Sequence, residues 1–545
     1  MQAPPVKHPQ LWLCLIALLG LALRLAAYFQ GEAFAYFAFG DEILAYDQAV
    51  DYAAGEPQAR YLSQANFLGN SKIPGSLWTV FWFNAMRLGG GPHAVAAVML
   101  IINLAVIPCV YLLGCRMLNC RAGLWAALFM ATQPWTVYYS VGAYNPEVMS
   151  FLAVLTMLAL WETVTGNRSL QIFWVGLLPV IAIQFHTAAI PLFASCAALL
   201  WFNRHRLNWS VLGLGICAGL LFYLPYFFGE AATGWANTRA MLEAESRSSF
   251  GCLKAITIPF SLLTAWCHRW TLPEFADYQA MGNAVFGSYL VMFFFKALGT
   301  IAAGWLVFEF ARISVRAWRR DSGRPAKIFA HDPALFFILT FLFVPMLLFA
   351  MSLQNYSSRY AIFQMPVLMM IPAICLTRLP ARGRPAAILR TLVVITVIFN
   401  VVFLCGFFRY QGNMIAGDDK FLPSFKKLAL VYAQLKNDAG AQRPIAVEDL
   451  EFLEQYDDHD ARAISLYVAV REKEARLGGL LDPAAPPAVY RLTHITAAPE
   501  GQAAYREADI MLIRQSENDW ETDPPPDAAF QTPDAARVPH GRDGS

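Results

Sequence analysis

A polytopic α-helical membrane protein that ends in a small soluble α/β domain is the fold class this sequence predicts, on three observations. The 545 residues are 57% hydrophobic and 14% aromatic, with a mean hydropathy of +0.42. Apolar runs of membrane length recur from Leu11 to Phe407, and after Arg409 they give way to charged and Ala/Pro-rich sequence. A soluble fold cannot bury so much apolar surface. The formal charge of +2 comes from basic residues scattered over short connections, which argues against a nucleic-acid partner.

The runs read as Leu11 to Phe29, Ala94 to Cys115, Gly123 to Val141, Val148 to Trp161, Leu170 to Phe185, Ala188 to Phe202, Val211 to Phe228, Ala284 to Phe310, Leu335 to Met351, Tyr360 to Leu376 and Ala387 to Phe407. These make about eleven spans of roughly membrane-crossing length. The first follows Lys7 and meets no small-residue cleavage site, so it is expected to stay on the chain. Arg116 with Arg121, Arg168, Arg204 with Arg206, the run Arg312 to Lys327, and Arg378 with Arg382 and Arg384 fall in alternate connections. Short cytoplasmic loops carry excess Lys and Arg, so the expected N-terminus is cytoplasmic and the expected C-terminal domain external. Ile73 to Leu88 is apolar but short and would invert that scheme as a span. It is expected at the membrane surface or in a shallow re-entrant position, with its aromatics on the buried side.

Residues 1–408 thus form the expected membrane region, with external loops at 31–92 and 229–283. Residues 409–518 form the expected α/β domain, with strands at AVYRLTHI and ADIMLIRQ and a strand-then-helix at PIAVEDLEFLEQY. Residues 519–545 carry the Pro and Asp content of a disordered tail. Cys252 and Cys267 both fall in the second external loop, where an oxidising exterior permits a disulfide.

The densest chemistry lies in Gly31 to Lys72. It holds six acids (Glu32, Asp41, Glu42, Asp47, Asp51, Glu56) against two bases, Arg60 and Lys72, in a chain with 15% charged residues. Carboxylates at a membrane lip can deprotonate a nucleophile, hold a metal, or form a solvated helix face. A general base and cations for a departing phosphate are what sugar transfer from a polyprenyl phosphate requires. Asp41 is the candidate base and Glu42 orients a neighbouring group. Lys72 and Arg359 are candidate phosphate binders; their bland readings are an interfacial anchor and a loop-end cation. His186 ends a span, and Glu147 reads equally as a helix-start acid.

In arrangement these motifs resemble the GT-C class of membrane glycosyltransferases, and within it the protein O-mannosyltransferase and aminoarabinose transferase group (glycosyltransferase families 39 and 83). The resemblance rests on several stretches between Leu11 and Phe408: Gly40-Asp41-Glu42, then Lys72-Ile73-Pro74 leading an aromatic-rich helix, YLLGCRMLNCRAG, AALFMATQPWTVYYS, and Ser357-Ser358-Arg359-Tyr360 before a Pro-containing span. The family's second acidic site, of Arg-x-Asp type, here reads Tyr144-Asn145-Pro146-Glu147. With Asn145 at the acid's position, a divalent metal is left open. The resemblance implies an enzyme of the plasma (inner) membrane that moves a sugar, with inversion, from a polyprenyl-phosphate donor to a lipid, glycan or protein acceptor on the outer side. Asn145, Glu147, His186 and Tyr360 would form the acceptor or second acidic site. The rival readings are a lipid-linked glycan polymerase or ligase, and a transporter or flippase. A transporter would be expected to show inverted repeats and mid-span charges, whereas here no repeat is visible and the charges read as loop residues.

Overall fold

The computed structural model describes residues 6–29, 41–65, 71–89, 91–166, 169–243, 257–260, 262–263, 278–351, 358–379, 383–416, 425–448, 459–481, 485, 487–494, 503–507 and 510–514. Cys252, Cys267 and residues 519–545 lie outside them. The helices in chain order are α1 (Pro9–Phe29), α2 (Asp41–Ala54), α3 (Leu77–Met86), α4 (Pro92–Met117), α5 (Cys120–Thr132), α6 (Pro134–Tyr138) and α7 (Met149–Gly166). Next come α8 (Ser169–Phe185), α9 (Ile190–Phe202), α10 (Trp209–Leu221), α11 (Leu224–Ala232), α12 (Ala236–Glu243) and α13 (Tyr278–Phe286). The remainder are α14 (Tyr289–Arg320), α15 (Pro325–His331), α16 (Pro333–Met351), α17 (Met365–Arg378), α18 (Arg384–Ala416), α19 (Phe425–Ala439) and α20 (His459–Leu477).

Among the described residues seven helices are long and apolar enough to cross a membrane, or up to eight if α10 and α11, which meet at 50°, make one span. The expected eleven also counted α8 and α9, which are shorter apolar helices, and the stretch Gly123 to Val141, which breaks at Gln133. Ile73 to Leu88 holds a ten-residue helix, α3, with Trp78 and Trp82 buried. Its rise of about 15 Å is half the hydrocarbon thickness.

The break at Gln133 has a specific cause and a specific remedy. Pro134 has no N–H, so the Met130 carbonyl loses its helical partner. Arg24, fully buried in α1, donates to that carbonyl from Nη2 at 3.3 Å, to Ala131 O from Nη1 at 3.4 Å, and to Thr136 O from Nη2 at 3.4 Å. Thr136 Oγ1 also donates to Met130 O, at 2.8 Å. The guanidinium thus serves as a side-chain cap for a helix broken within the protein, where unmet carbonyls are costly.

Reading the charges as loop residues therefore needs correction. Arg24, Lys296 and Glu309 are all buried within long apolar helices. Lys296 Nζ stands 5.0 Å over the Phe403 ring, and Glu309 accepts from Arg312 Nε at 2.9 Å. Each is matched locally by carbonyls, a ring face or an adjacent base, which is why an apolar stretch can carry it.

Close crossings hold the helices together. A Cβ on Gly114 would lie 2.6 Å from Gly123 Cα, so the YLLGCRMLNCRAG hairpin lets α4 and α5 meet backbone to backbone. At the basic end of α14, Asp321 accepts from Arg320 Nη2 at 2.8 Å and pairs with His331 Nδ1 at 2.6 Å. Arg378 forks onto Asp332 at 2.8 and 3.0 Å.

Strands β1 (Leu62–Ala65) and β2 (Lys72–Pro74) form an antiparallel pair between α2 and α3. Strands β3 (Ile445–Glu448), β4 (Ala488–His494), β5 (Ala503–Glu507) and β6 (Ile510–Arg514) make a sheet of order β3-β4-β6-β5. The β3–β4 pair is parallel and the other two pairs are antiparallel. The helix expected in the second half of PIAVEDLEFLEQY falls on residues outside those described. Among the described residues the next helix after β3 is α20, and α18 continues to Ala416.

Candidate active site

The expected residues fall into two groups, joined at the end of α8. In the first, α2 begins at Asp41, so Asp41 and Glu42 sit in its first turn, where the helix dipole favours carboxylates. The side chain of Asp41 lies outside the described residues; Glu42 is half-buried. Gln48 Oε1 accepts from Thr79 Oγ1 at 3.4 Å, which pins α2 to α3.

Two of the six acids face elsewhere. Asp47 and Asp51, one helical turn apart, both pair with Lys473 of α20. Burial pushes the Asp47 carboxyl above its ordinary range against the opposing pull of Lys473 and the weaker pull of Lys72. Part of the acid concentration in this stretch therefore holds α20, a partner no local pattern reveals.

Lys72 opens β2 and is held by its backbone. Its N–H donates to Asn237 Oδ1 at 2.6 Å and its carbonyl accepts from Asn237 Nδ2 at 3.0 Å, so a side-chain amide replaces a strand neighbour. Asn237 is in turn fixed by the buried Glu230, which accepts from Asn237 N at 3.3 Å and Thr238 N at 2.7 Å. Sequence reasoning missed both residues, since an acid and an amide seven apart resemble any capping pair.

Downstream of Lys72, Gly75 turns the chain at φ +94, and a Cβ there would lie 2.5 Å from Gln184 Oε1. Gln184 is fully buried, and its amide oxygen and nitrogen have no hydrogen-bond partner among the described residues. Buried amides are ordinarily hydrogen-bonded, which sets Gln184 apart. Its only sequence signal was its place two residues before His186.

The second group gathers around that histidine. Phe185 packs edge-on against Trp78 and Phe81, with centroids 6.2 and 6.4 Å apart. Its carbonyl accepts from Asn145 Nδ2 at 2.7 Å. His186 Nδ1 accepts from Ala188 N at 3.0 Å, so the neutral imidazole carries its proton on Nε2 and is a donor there. Its ring lies 5.1 Å from that of Tyr360, in the 3₁₀ turn Ser358–Gln364 that also carries Arg359. The Arg359 side chain is outside the described residues. Ser150 Oγ donates to Ile362 O at 2.9 Å, anchoring that turn.

Glu147 is buried in the 3₁₀ turn Asn145–Val148. A Cβ on Gly142 would stand 2.4 Å from both of its carboxylate oxygens, so the carboxylate rests on the Gly142 backbone. Asn145, Glu147, His186 and Tyr360, far apart in sequence, thus come together, and β2 places Lys72 beside the same end of α8. Among the described residues no three His, Cys, Asp or Glu side chains gather as metal ligands would.

A cation, a buried carboxylate, an imidazole N–H donor and aromatic walls can bind a phosphate and orient a hydroxyl. Known folds add to this. No family model matches the sequence, and no curated protein matches it. The crystal structure of ArnT from Cupriavidus metallidurans in the apo state superposes with a TM-score of 0.55 at 11% identity, covering 91% of this chain and 97% of that one. ArnT bound to undecaprenyl phosphate gives 0.53 at 11% identity, covering 92% and 98%. The apo oligosaccharyltransferase of Archaeoglobus fulgidus is a looser match at 0.42 and 12% identity, covering 90% and 70%. At that identity the ArnT likeness is one of fold alone: the chain has the ArnT architecture.

Proposed function

We propose that this protein is a glycosyltransferase that moves a sugar from a polyprenyl-phosphate donor to an acceptor on the outer side of the membrane. The observation that carries the reading is the meeting of the Lys72 strand, the buried Glu147 carboxylate, His186 and the Arg359–Tyr360 turn at the end of α8, within a GT-C fold. ArnT, which shares the fold, was crystallised with undecaprenyl phosphate, and the cations here suit a phosphate of that kind.

In the reaction the bond from the anomeric carbon to the phosphate oxygen breaks, and the acceptor oxygen bonds to that carbon from the opposite face, inverting it. Asp41 takes the acceptor's proton and Glu42 orients it. Lys72 and Arg359 hold the phosphate as its charge grows, and Arg offers a bidentate fork. His186 and Tyr360 line the acceptor side with Asn145 and Glu147. Either a hexose or a pentose suits this chemistry.

The ion pairs between α2 and α20 support a common side of the membrane for the first loop and the C-terminal domain, and the basic segment Arg312 to Lys327 supports a cytoplasmic side for itself. The protein would then lie in the plasma (inner) membrane with a cytoplasmic N-terminus. Mass spectrometry of membrane lipids and envelope glycans from a deletion strain tests the reading. An accumulated lipid-linked sugar and a missing modification are expected; an unchanged lipid and glycan profile would refute it.

A further inference from the structure

The C-terminal domain reaches back to the helix that begins with Asp41, and it does so through a compact set of side chains. Within the domain, Glu472 is buried and accepts from Tyr432 Oη at 2.8 Å, Lys436 Nζ at 2.8 Å and Ile445 N at 3.1 Å. That fixes α20 against α19 and β3. The residues on either side of Glu472 face outward to α2. Lys473 Nζ meets Asp47 Oδ1 at 3.0 Å and also meets Asp51. Tyr46 Oη donates to Glu474 Oε2 at 2.6 Å and accepts from Arg471 Nη1 at 3.5 Å. The Tyr46 ring is fully buried between Trp82 of α3 and Tyr467 of α20, each centroid 6.3 Å away.

We infer that Lys473 is a positioning residue for sugar transfer: through Asp47 and Asp51 it sets where α2 holds Asp41 over the donor phosphate. The inference rests on the proposed function for the role of Asp41. A helix is a stiff rod, and Asp47 lies only about 9 Å along it from Asp41. Clamping the middle of α2 therefore fixes the direction of its first turn. The alternative is that the contact merely glues two domains together, and magnitudes separate the two. Side chains of Lys473, Asp47 and Asp51 are 36%, 37% and 25% exposed, and ion pairs so open to water contribute little to stability. Displacing a reacting group by about 1 Å, in contrast, costs on the order of 100-fold in rate.

The test uses the full-length protein in nanodiscs, with Lys473→Glu, the milder Lys473→Gln, and the swap Asp51→Lys/Lys473→Glu, which keeps one positive charge between two negative ones. Two readouts are taken: amide exchange over residues 41–54, and steady-state transfer from a synthetic polyprenyl-phosphate sugar. Expected are faster exchange in α2, a kcat lowered at least about 10-fold with the donor KM and Tm nearly unchanged, and recovery of both in the swap. Wild-type exchange and wild-type kcat in both single variants would overturn the inference. So would a loss the swap does not recover, or a fall in Tm that accounts for the loss of rate. If the wild-type protein transfers no sugar at all, the proposed function fails separately. The exchange measurement then decides alone whether Lys473 sets the position of α2.

Discussion

Asn145 Nδ2 donates to the carbonyl oxygen of Phe185 at 2.7 Å, across forty positions of sequence. That bond joins the turn bearing Glu147 to the end of α8 bearing His186. Asn145→Ala is expected to leave a half-buried carbonyl without this donor, at about 1 kcal/mol, and to lower sugar transfer through misplacement of His186. Asn145→Asp puts a carboxylate against the same carbonyl and should be worse. Thermal unfolding and transfer assays on the purified variants check both; an active Asn145→Asp would contradict the proposed geometry.

Gly142→Ala drives a methyl into the Glu147 carboxylate, which lies 2.4 Å from where that carbon would be. The prediction is a loss of activity close to that of Glu147→Ala, with the helical far-ultraviolet spectrum retained. Gly142→Ala with normal transfer would show that the carboxylate has no role in the chemistry.

Asp41→Asn removes the proton acceptor but keeps its shape. Turnover should fall about 100-fold or more while donor binding survives. Lys72→Ala and Arg359→Ala should instead weaken donor binding and also slow the chemical step. Donor titration alongside single-turnover rates separates the two patterns, and near wild-type transfer by Asp41→Asn would end the general-base assignment.

Arg24→Met should destabilise the α5–α6 corner, because the carbonyls of Ala131 and Thr136 lose their Arg24 donor while that of Met130 keeps only Thr136 Oγ1. The expected cost is about 2 kcal/mol or more at one to a few per unmet group. Arg24→Lys should recover only part of it, since an ammonium cannot reproduce the planar fork. Unfolding temperatures in one detergent provide the comparison; equal values for Met and wild type would show that the cap is idle.

The contact between α2 and α20 should respond to acid with a definite sign. Burial first of all raises the Asp47 carboxyl above its unfolded value of 3.8. Between that value and its folded one, the docked state holds a proton that the undocked state releases. The Asp47 contribution to docking therefore weakens as pH rises through this window and levels off above it. Amide exchange of residues 41–54 from about pH 4 to pH 7, corrected for intrinsic rates, should show this slope, and Asp47→Asn should abolish it. A slope of opposite sign in the wild type would count against the partial desolvation of Asp47 at this contact.

How much was legible in the sequence can be judged from particular elements. Hydrophobic run length is a local property set by bilayer thickness, so the polytopic class and the short, aromatic α3 could be read directly. The candidate site residues were named from local motifs: Asp41 and Glu42 as an acidic pair in the first loop, Lys72 before Pro74, and Asn145, Glu147, His186 and Tyr360 near span ends. Tertiary structure alone decided which of these meet. It also showed that Asp47 and Asp51 serve Lys473, more than four hundred positions away, that Asn237 and Glu230 hold Lys72, and that Arg24 repairs the helix Pro134 breaks. The physical reason is the same in each case. A buried charge or amide is tolerated only because a partner from a distant segment satisfies it, and composition and spacing carry no trace of a partner that arrives only when the chain has folded.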